Sequence, residues 1–258
     1  MRSLPKYATD FMMKDRIVLI TGATRGLGIG IAEAFAKAGA KVAMNYANDD
    51  IGAARAKEEV SKHGIVELFK ADALSEGGVK SLVEQVSAQW GAIDTLVLNA
   101  TPAQYEKEIK DYSEGDFESM FRAFVMGPHY LTRAVVPEMK KRQFGRIIHV
   151  TSEVFQCGSS PFSAYVAGKG GQIGYLRSTA MELAPFGITV NSVAPGWIPV
   201  ERHESVSADA KNTYLQTIPV GRWGTREDVA EAVRFFAENH SGFLTGQMLA
   251  VNGGRTLS

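Results

Sequence analysis

The sequence predicts an α/β fold: one domain on a seven-stranded, parallel, doubly wound sheet with helices on both faces. Short apolar runs typical of strands alternate with helix-length amphipathic segments almost from end to end. Several runs, such as VLI and IIHV, are apolar throughout, as in strands that are covered on both faces. The connections are short, which favours repeated β-α units, and 258 residues fit one such domain better than two small ones.

The predicted elements can be placed in chain order. Strands are expected at 16–21, 41–46, 66–71, 95–99, 146–151, 189–193 and 247–251. Helices are expected between them, for example at 27–38, 78–90 and 226–239. Residues 1–14 are predicted to be a tail, so the domain runs from 15 to 258. Residues 199–219 form the longest stretch without a strand pattern and predict a mobile lid.

Composition excludes several classes of protein. The formal net charge is +0, which does not suit a nucleic-acid binder or an electrostatic membrane anchor. No apolar run approaches the roughly 20 residues needed to span a bilayer. Cys157 is the only cysteine, so a disulfide within the chain is impossible, which is compatible with a reducing cytoplasm. The five histidines show no metal-ligand spacing, so no metal site is expected.

A glycine-rich turn follows the first predicted strand and leads directly into a helix. It reads TGATRGLG, with Gly22, Gly26 and Gly28 as its glycines. Glycines permit a tight turn and let the backbone approach a pyrophosphate, which would lie at the positive end of the helix. A plain strand-to-helix turn has the same composition. The position at the first β-α junction favours a dinucleotide site.

The end of the second predicted strand bears on which dinucleotide binds. Enzymes that use NAD generally place an acidic residue there to bind the ribose 2′-hydroxyl. Here the strand ends Met44-Asn45-Tyr46, and Arg25 within the glycine loop could pair with a 2′-phosphate. Asp49 and Asp50 follow closely and count against this interpretation. The sequence favours NADP(H), with NAD(H) as the alternative.

Three residues form a candidate catalytic centre. Tyr165 and Lys169 are four residues apart, on one face of a predicted helix. A free tyrosine has a pKa of roughly 10, and a nearby ammonium group would lower that pKa and suit it to acid–base work. Ser152 ends a predicted strand, on the carboxyl edge where open α/β sheets bind ligands. A tyrosine–lysine pair alone is common by chance.

The whole series of motifs resembles the short-chain dehydrogenase/reductase family from residue 16 to 254. In family order the chain carries TGATRGLG, Asp72 after the third strand, Asn99-Ala100 after the fourth, Ser152 before YVAGK, Asn191, Pro195-Gly196, and the late stretches PVGRWG and VNGG. The resemblance implies a Rossmann fold and hydride exchange between a nicotinamide cofactor and a small carbonyl or alcohol substrate. Within the family the chain is most similar to 3-oxoacyl-(acyl carrier protein) reductases and to sugar or polyol dehydrogenases.

The resemblance also implies residue roles. Tyr165 would exchange a proton with the substrate oxygen, Ser152 would donate a hydrogen bond to it, and Lys169 would bind the nicotinamide ribose. The cofactor contacts implied are Gly22, Thr24, Arg25, Gly26, Leu27, Gly28, Asn45, Asp72, Ala73, Asn99, Ala100, Thr101, Tyr165, Lys169, Pro195, Gly196 and Ile198. A homodimer or homotetramer is also implied, with the glycines of the Tyr165 helix (Gly168, Gly170, Gly171 and Gly174) at or near a subunit contact.

Four positions depart from the family pattern. Thr101 stands in place of a glycine, Val200 in place of a threonine, and Met181 where acyl-carrier reductases often have a basic residue. Phe124 stands where an asparagine bends a helix and its carbonyl holds a water linked to the catalytic lysine. Pro128, four residues later, has no N–H to bond the Phe124 carbonyl. We expect that carbonyl to stay free, so that the backbone half of this relay survives.

Other polar residues near the site have ordinary explanations. His149 lies inside a strand and is expected to be a satisfied core histidine, and Cys157 to be a small loop residue. Glu153 could contact a polar substrate or be a solvated loop carboxylate. The charged start of the lid, at 201–204, is expected to be a solvated charge run. A dinucleotide-binding regulatory protein that has lost turnover is the alternative to an enzyme.

Overall fold

The computed structural model describes residues 13–256 and confirms the predicted fold class. Seven parallel strands form one sheet with the order β3-β2-β1-β4-β5-β6-β7. The strands are β1 (Ile17–Ile20), β2 (Lys41–Tyr46), β3 (Val66–Lys70), β4 (Thr95–Leu98), β5 (Gly145–Val150), β6 (Ile188–Pro195) and β7 (Met248–Val251). Each lies within two residues of its predicted position.

Nine α-helices connect the strands in the described part of the chain. They are α1 (Leu27–Lys37), α2 (Asp50–Ser61), α3 (Glu76–Trp90), α4 (Glu114–Phe121), α5 (Gly127–Arg142), α6 (Val154–Cys157), α7 (Ser163–Leu183), α8 (Ala208–Leu215) and α9 (Arg226–Ala237). A π-helical turn, Arg122–Met126, joins α4 to α5.

The sheet is buried between two layers of helices. Strands β1, β4, β5 and β6 are buried along their whole length, which explains their continuously apolar sequences. One face packs against α1 and α9, through residues such as Phe35 and Phe236. The other packs against α3, α5 and α7, through residues such as Leu82, Leu131 and Leu176. The edge strands β3 and β7 are only partly buried.

The strand order places the functional edge. From β1 the chain proceeds outward to β2 and β3, and then returns to β4 on the other side of β1. The connections that leave the carboxyl ends of β1 and β4 therefore diverge to opposite faces and open a crevice there. In open α/β sheets ligands bind at such a switch point.

The structure differs from the predicted organisation at two places. The lid, residues 199–219, contains a 3₁₀ turn at Glu201–His203 and the helix α8, which the sequence pattern did not predict. Met13, which the prediction placed in the tail, is 2% exposed and packs into the core. Residues 1–12 of the predicted tail lie outside the described residues.

Within residues 13–256, no helix is both long and apolar enough to cross a membrane. The same residues contain no cluster of three or more histidine, cysteine or acidic side chains that could bind a metal ion.

Candidate active site

The glycine loop after β1 needs its glycines for two different reasons. Gly22 has φ +61°, in the left-handed region that side chains with a Cβ rarely adopt. Gly28 has an ordinary φ, but a Cβ on it would lie 2.3 Å from the carbonyl oxygen of Gly22. The first turn of α1 is thus packed directly onto the loop. A pyrophosphate at this helix start would accept hydrogen bonds from backbone N–H groups that have no partner within the helix.

Hydrogen bonds connect this loop to the end of β4. The Thr21 hydroxyl accepts the N–H groups of Asn99 and Ala100, both at 3.0 Å. The Asn99 amide in turn donates to the carbonyls of Thr21 and Gly22, both at 3.0 Å. Thr101 donates its hydroxyl to the Asn99 carbonyl at 3.1 Å, so the larger residue at this position is accommodated. The Asn99 side chain therefore links the end of β4 to the glycine loop.

The acidic residues after β2 have partners, whereas Arg25 in the glycine loop has none among the described residues. Asp49 caps α2 by accepting the Gly52 N–H, and Asp50 pairs with Lys70 at 2.7 Å. Neither carboxylate is left over for a ribose hydroxyl. Arg25 is exposed, and no described residue pairs with its guanidinium. This arrangement suits a ligand that carries an additional phosphate.

The other residues that the resemblance assigns to the cofactor lie at the same edge of the sheet. Asn45 differs from them in the direction of its side chain. Asn45 is 2% exposed, and its amide donates to the carbonyls of Phe69 and Ala71. Its side chain thus joins β2 to β3 and faces the sheet. The remaining contacts come from the loop and from the strand ends: Thr24, Gly26, Leu27, Asp72, Ala73, Pro195, Gly196 and Ile198. Their contacts with a cofactor stay predictions.

The structure brings Ser152, Tyr165 and Lys169 together as the sequence predicts. Ser152 follows β5 directly, and the other two side chains lie one turn apart on α7. Tyr165 is 8% exposed, and its hydroxyl lies close enough to the Ser152 hydroxyl for the serine to lower its pKa. A single substrate oxygen could therefore accept hydrogen bonds from both hydroxyls.

Burial dominates the proton affinities of this centre. It raises the pKa of Tyr165, and this outweighs the lowering by the Ser152 hydroxyl, by the charge of Arg202 and by the Gln104 side chain. Burial also lowers the pKa of Lys169 well below its usual value, with a smaller contribution from Arg202. The expected lowering of the Tyr165 pKa by the lysine is therefore not what this structure shows. Desolvation disfavours the charged form of each group.

Phe124 occupies the space beside the catalytic pair. It is 1% exposed, its ring lies 3.9 Å from the Lys169 ammonium nitrogen, and it meets the Tyr165 ring edge-on at 5.4 Å between centroids. The surrounding turn is π-helical, with the Gly127 N–H donating to the Arg122 carbonyl. The regular α-helical hydrogen bonding is thus interrupted just before Pro128. The water relay itself stays a prediction.

Glu153, next to Ser152, is neither a solvated carboxylate nor a free substrate contact, contrary to expectation. It is 3% exposed and accepts hydrogen bonds from Tyr214 at 2.6 Å and from Asn252 at 2.9 Å. Arg255 forms an ion pair with it at 2.6 Å. One buried carboxylate thus joins the serine loop to the lid helix α8 and to the C-terminal segment. Three distant segments meet here, so no local sequence pattern could have shown it.

At the start of the lid Glu201, Arg202 and Glu204 are exposed, as expected of a solvated charge run. Arg202 acts electrostatically on both Tyr165 and Lys169. His203 packs edge-on against Trp197, and its burial lowers its pKa to about 4, so it is neutral at physiological pH. Val200, the residue in place of threonine, lies 3.7 Å from the position of a Cβ on Gly26. The lid therefore closes over the glycine loop in this conformation.

Two polar residues of the site were missed by sequence reasoning. Gln104, after β4, lies beside the Tyr165 hydroxyl, and Gln172, on α7, accepts a hydrogen bond from Lys169. Gln172 stands three residues after Lys169, a spacing that places both on one helix face and could have been noticed. Gln104 lies in a loop, where spacing carries no such information.

One cavity of the structure lies apart from Ser152, Tyr165 and Lys169. It has a volume of about 390 Å³, and Trp197, Tyr214, Arg222 and Asn252 are among its lining residues. None of Ser152, Tyr165 and Lys169 lines it. We therefore place the reaction at the crevice and not in this cavity.

Similarity to known proteins agrees with this geometry. Residues 22–256 match the model of a family described as enoyl-(acyl carrier protein) reductase. The 3-oxoacyl-(acyl-carrier-protein) reductase FabG of Staphylococcus epidermidis is 35% identical over 241 residues, which cover 93% of this chain and 98% of that protein. The protein of the same name from Escherichia coli is 35% identical over 248 residues, which cover 93% and 97%.

The chain belongs to the short-chain dehydrogenase/reductase family. It is an NAD(P)-dependent oxidoreductase. Among the motifs on which the resemblance was based, the glycine loop, Asn99-Ala100, Ser152 and Pro195-Gly196 lie at the ends of β1, β4, β5 and β6, and YVAGK lies at the start of α7.

Proposed function

We propose that this protein is an NADP(H)-preferring oxidoreductase that interconverts a ketone and a secondary alcohol. The observation that carries the proposal is the contact between the Ser152 and Tyr165 hydroxyls, at the same sheet edge as the glycine loop. The glycine loop fits a dinucleotide. Because Gly28 has no Cβ, the first turn of α1 can pack directly against the loop, as a phosphate-binding turn requires. The free Arg25 guanidinium supports the choice of NADP(H) over NAD(H).

The chain's own residues would perform the proton chemistry. The bound cofactor supplies a hydride to the carbonyl carbon. The Tyr165 hydroxyl donates its proton to the carbonyl oxygen, so the C=O double bond becomes a C–H and an O–H bond. Ser152 donates a hydrogen bond to the same oxygen and stabilises the negative charge that develops there. Because burial raises its pKa, Tyr165 is protonated at neutral pH and is ready to act as the acid in reduction.

The substrate class is inferred from the relatives. Those described above are named for reduction of 3-oxoacyl groups on a carrier protein. We propose a small polar or acyl ketone, with the sugar and polyol substrates of related dehydrogenases as alternatives. Met181 is 82% exposed on α7 and offers no positive charge to an acidic carrier protein, so a free thioester suits this chain better than a carrier-bound one.

A substrate panel tests the proposal directly. NADPH absorbance would be followed with ketoacyl thioesters, keto sugars, cyclic diketones and an enoyl thioester. Turnover of a ketone supports the proposal, whereas turnover of the enoyl thioester alone would replace it with reduction of a carbon–carbon double bond. Tight NADPH binding without turnover of any compound would favour the regulatory alternative.

Cofactor preference depends on Arg25. We expect Arg25→Ala to weaken NADPH binding about tenfold, as for loss of a charge-assisted hydrogen bond, and to leave NADH binding unchanged. Dissociation constants from quenching of protein fluorescence would measure both. Lys62→Ala, which removes an exposed cation at the end of α2, is the control and should change neither. Equal affinities of the wild type for NADPH and NADH would contradict the assignment.

The glycines of α7 differ in what surrounds them, and this difference narrows the face of the helix at which two subunits could meet. A Cβ on Gly168 would meet Phe124 and Met120, one on Gly170 would meet Phe155, and one on Gly171 would meet Val125. Packing within the chain therefore accounts for these three, in contrast to the expectation of a shared subunit contact. Only Gly174 faces open space, on a helix that also exposes Met181.

We propose a homodimer or homotetramer that uses the Gly174 face of α7. Gly174→Leu is then expected to lower the mass of the assembly, because the added side chain separates two closely packed helices. Gly77→Leu, at another helical glycine in open space, is the matched control and should leave the mass unchanged. Light scattering after size-exclusion chromatography measures both. A wild type that is monomeric at micromolar concentration would disprove the proposal.

A further inference from the structure

A row of buried polar side chains lies behind the catalytic lysine. The Lys169 ammonium donates to the Val150 carbonyl at 2.9 Å and to Gln172 Oε1 at 3.1 Å. Gln172 Nε2 lies 3.3 Å from His149 Nδ1. Lys169 and Gln172 are each 2% exposed and His149 is 0% exposed. The row therefore runs from the active site into the interior, without access to solvent.

The chemistry of the lysine sets the direction of every hydrogen bond in this row. An ammonium group only donates, so Gln172 must present its oxygen to Lys169 and its amide N–H to His149. His149 Nδ1 must then accept, which places the imidazole proton on Nε2. Burial and the Lys169 charge lower the pKa of His149 to about 3, so the ring is neutral at physiological pH. Its Nε2 is buried without a hydrogen-bond partner among the described residues.

No other polar side chain in the described residues holds the ammonium. Its two hydrogen bonds are to Val150 and Gln172, and on another side it meets the face of the Phe124 ring. The ring attracts the cation but cannot fix its direction as an oxygen does. His149 and Val150 lie on β5, which leads into Ser152, whereas Gln172 lies on α7 with Tyr165. The row thus joins the two elements that carry the catalytic hydroxyls.

We propose that Gln172, oriented by His149, is a positioning residue that sets the place of the Lys169 ammonium beside Tyr165. This inference rests on the proposed function for its kinetic test and stands alone for its spectroscopic test. His149 is then not a core histidine that merely fills space. Its acceptor nitrogen prevents Gln172 from rotating its amide and turning an N–H toward the ammonium.

The kinetic test compares Gln172→Met, His149→Leu and the double variant. We expect Gln172→Met to lower kcat about tenfold, as for loss of a hydrogen bond to a charged group. His149→Leu should have a smaller effect, and the double variant should be no worse than Gln172→Met, because both changes break one row. Ile173→Met, a buried neighbour on α7, is the control and should leave kcat within twofold.

The pH profile of alcohol oxidation separates positioning from a merely structural role. Loss of the Gln172 oxygen disfavours the charged lysine and lowers the pKa of Lys169 further, so the midpoint of the limb of the profile that reports Lys169 should move to lower pH. The titratable groups that face Lys169 are Tyr165 on α7, His149 on β5 and Arg202 on the lid. Gln172→Met with an unchanged midpoint and kcat within twofold of the wild type would overturn the proposal, as would additive losses in the double variant.

Histidine NMR tests the row without any substrate. Protein labelled with ¹⁵N-histidine should show one imidazole that carries its proton on Nε2, stays neutral down to about pH 4 and is lost in His149→Leu. A proton on Nδ1 of His149 would overturn the proposal even if the enzyme is active. If the wild type turns over no ketone, the proposed function fails, and this measurement still decides the inference.

Discussion

Replacement of Tyr165 by phenylalanine is expected to lower turnover by about a thousandfold, within the range of contributions measured for general acids. The lost hydroxyl is the group that would donate the proton, and the phenyl ring keeps the contacts with Phe124 and Phe162. NADPH binding should change less than about twofold, because the lost hydroxyl serves the proton transfer. Steady-state kinetics on the best ketone of the panel and fluorescence titration of NADPH provide the two measurements.

Two further variants provide comparisons for the Tyr165→Phe result. Lys169→Met should impair both turnover and NADPH binding, since the lysine would contact both Tyr165 and the ribose. Tyr130→Phe removes the hydroxyl of a partly buried tyrosine on α5 and should have no effect on turnover. Substantial activity in Tyr165→Phe would show that the catalytic assignment is wrong, whatever the other variants do.

Replacement of Glu153 by alanine is expected to destabilise the fold by about 3–5 kcal/mol, as for removal of one partner of a buried ion pair. The change leaves Tyr214, Asn252 and Arg255 without the carboxylate that all three contact. It also detaches the lid helix α8 from the loop that carries Ser152. Denaturant unfolding would measure the loss, and turnover should fall with it.

The control for this prediction is another carboxylate near the lid. Glu204 is exposed after the 3₁₀ turn, and Glu204→Ala should change the free energy of unfolding by less than about 0.5 kcal/mol. Glu153→Gln should lie between the two, because it keeps the volume and one acceptor oxygen but loses the charge. If Glu153→Ala is as stable as the wild type, the cluster around Glu153 does not hold the lid.

The prediction of the fold succeeded because its signals are local. Continuous apolar runs such as residues 146–151 follow from burial on both faces, and that burial is a property of every inner strand of a parallel sheet. The lid helix α8 was missed for the opposite reason. None of its residues is fully buried, so its sequence shows no apolar stripe of helical period.

The same distinction applies within the site. Ser152, Tyr165, Lys169 and the glycine loop were found from spacing together with the family resemblance, because each belongs to one element and its neighbours along the chain. Glu153 was assigned roles that the structure does not support, since its partners Tyr214 and Asn252 are 61 and 99 residues away in the chain. Gly168 and Gly170 were expected at or near a subunit contact, and the structure shows that an added Cβ would meet Phe124 and Phe155 of the same chain.

The sequence by itself determined the sheet and the order of its elements and predicted the pair Tyr165 and Lys169, because periodicity and fixed spacing act over a few residues. Only the tertiary structure decided the electrostatics of that pair. Burial raises the pKa of Tyr165 and lowers that of Lys169, and burial depends on which segments fold over them. It also decided that Glu153 supports the lid and that Gln172 and His149 hold the lysine, because a buried polar group needs a partner and the fold alone determines which partner lies within reach.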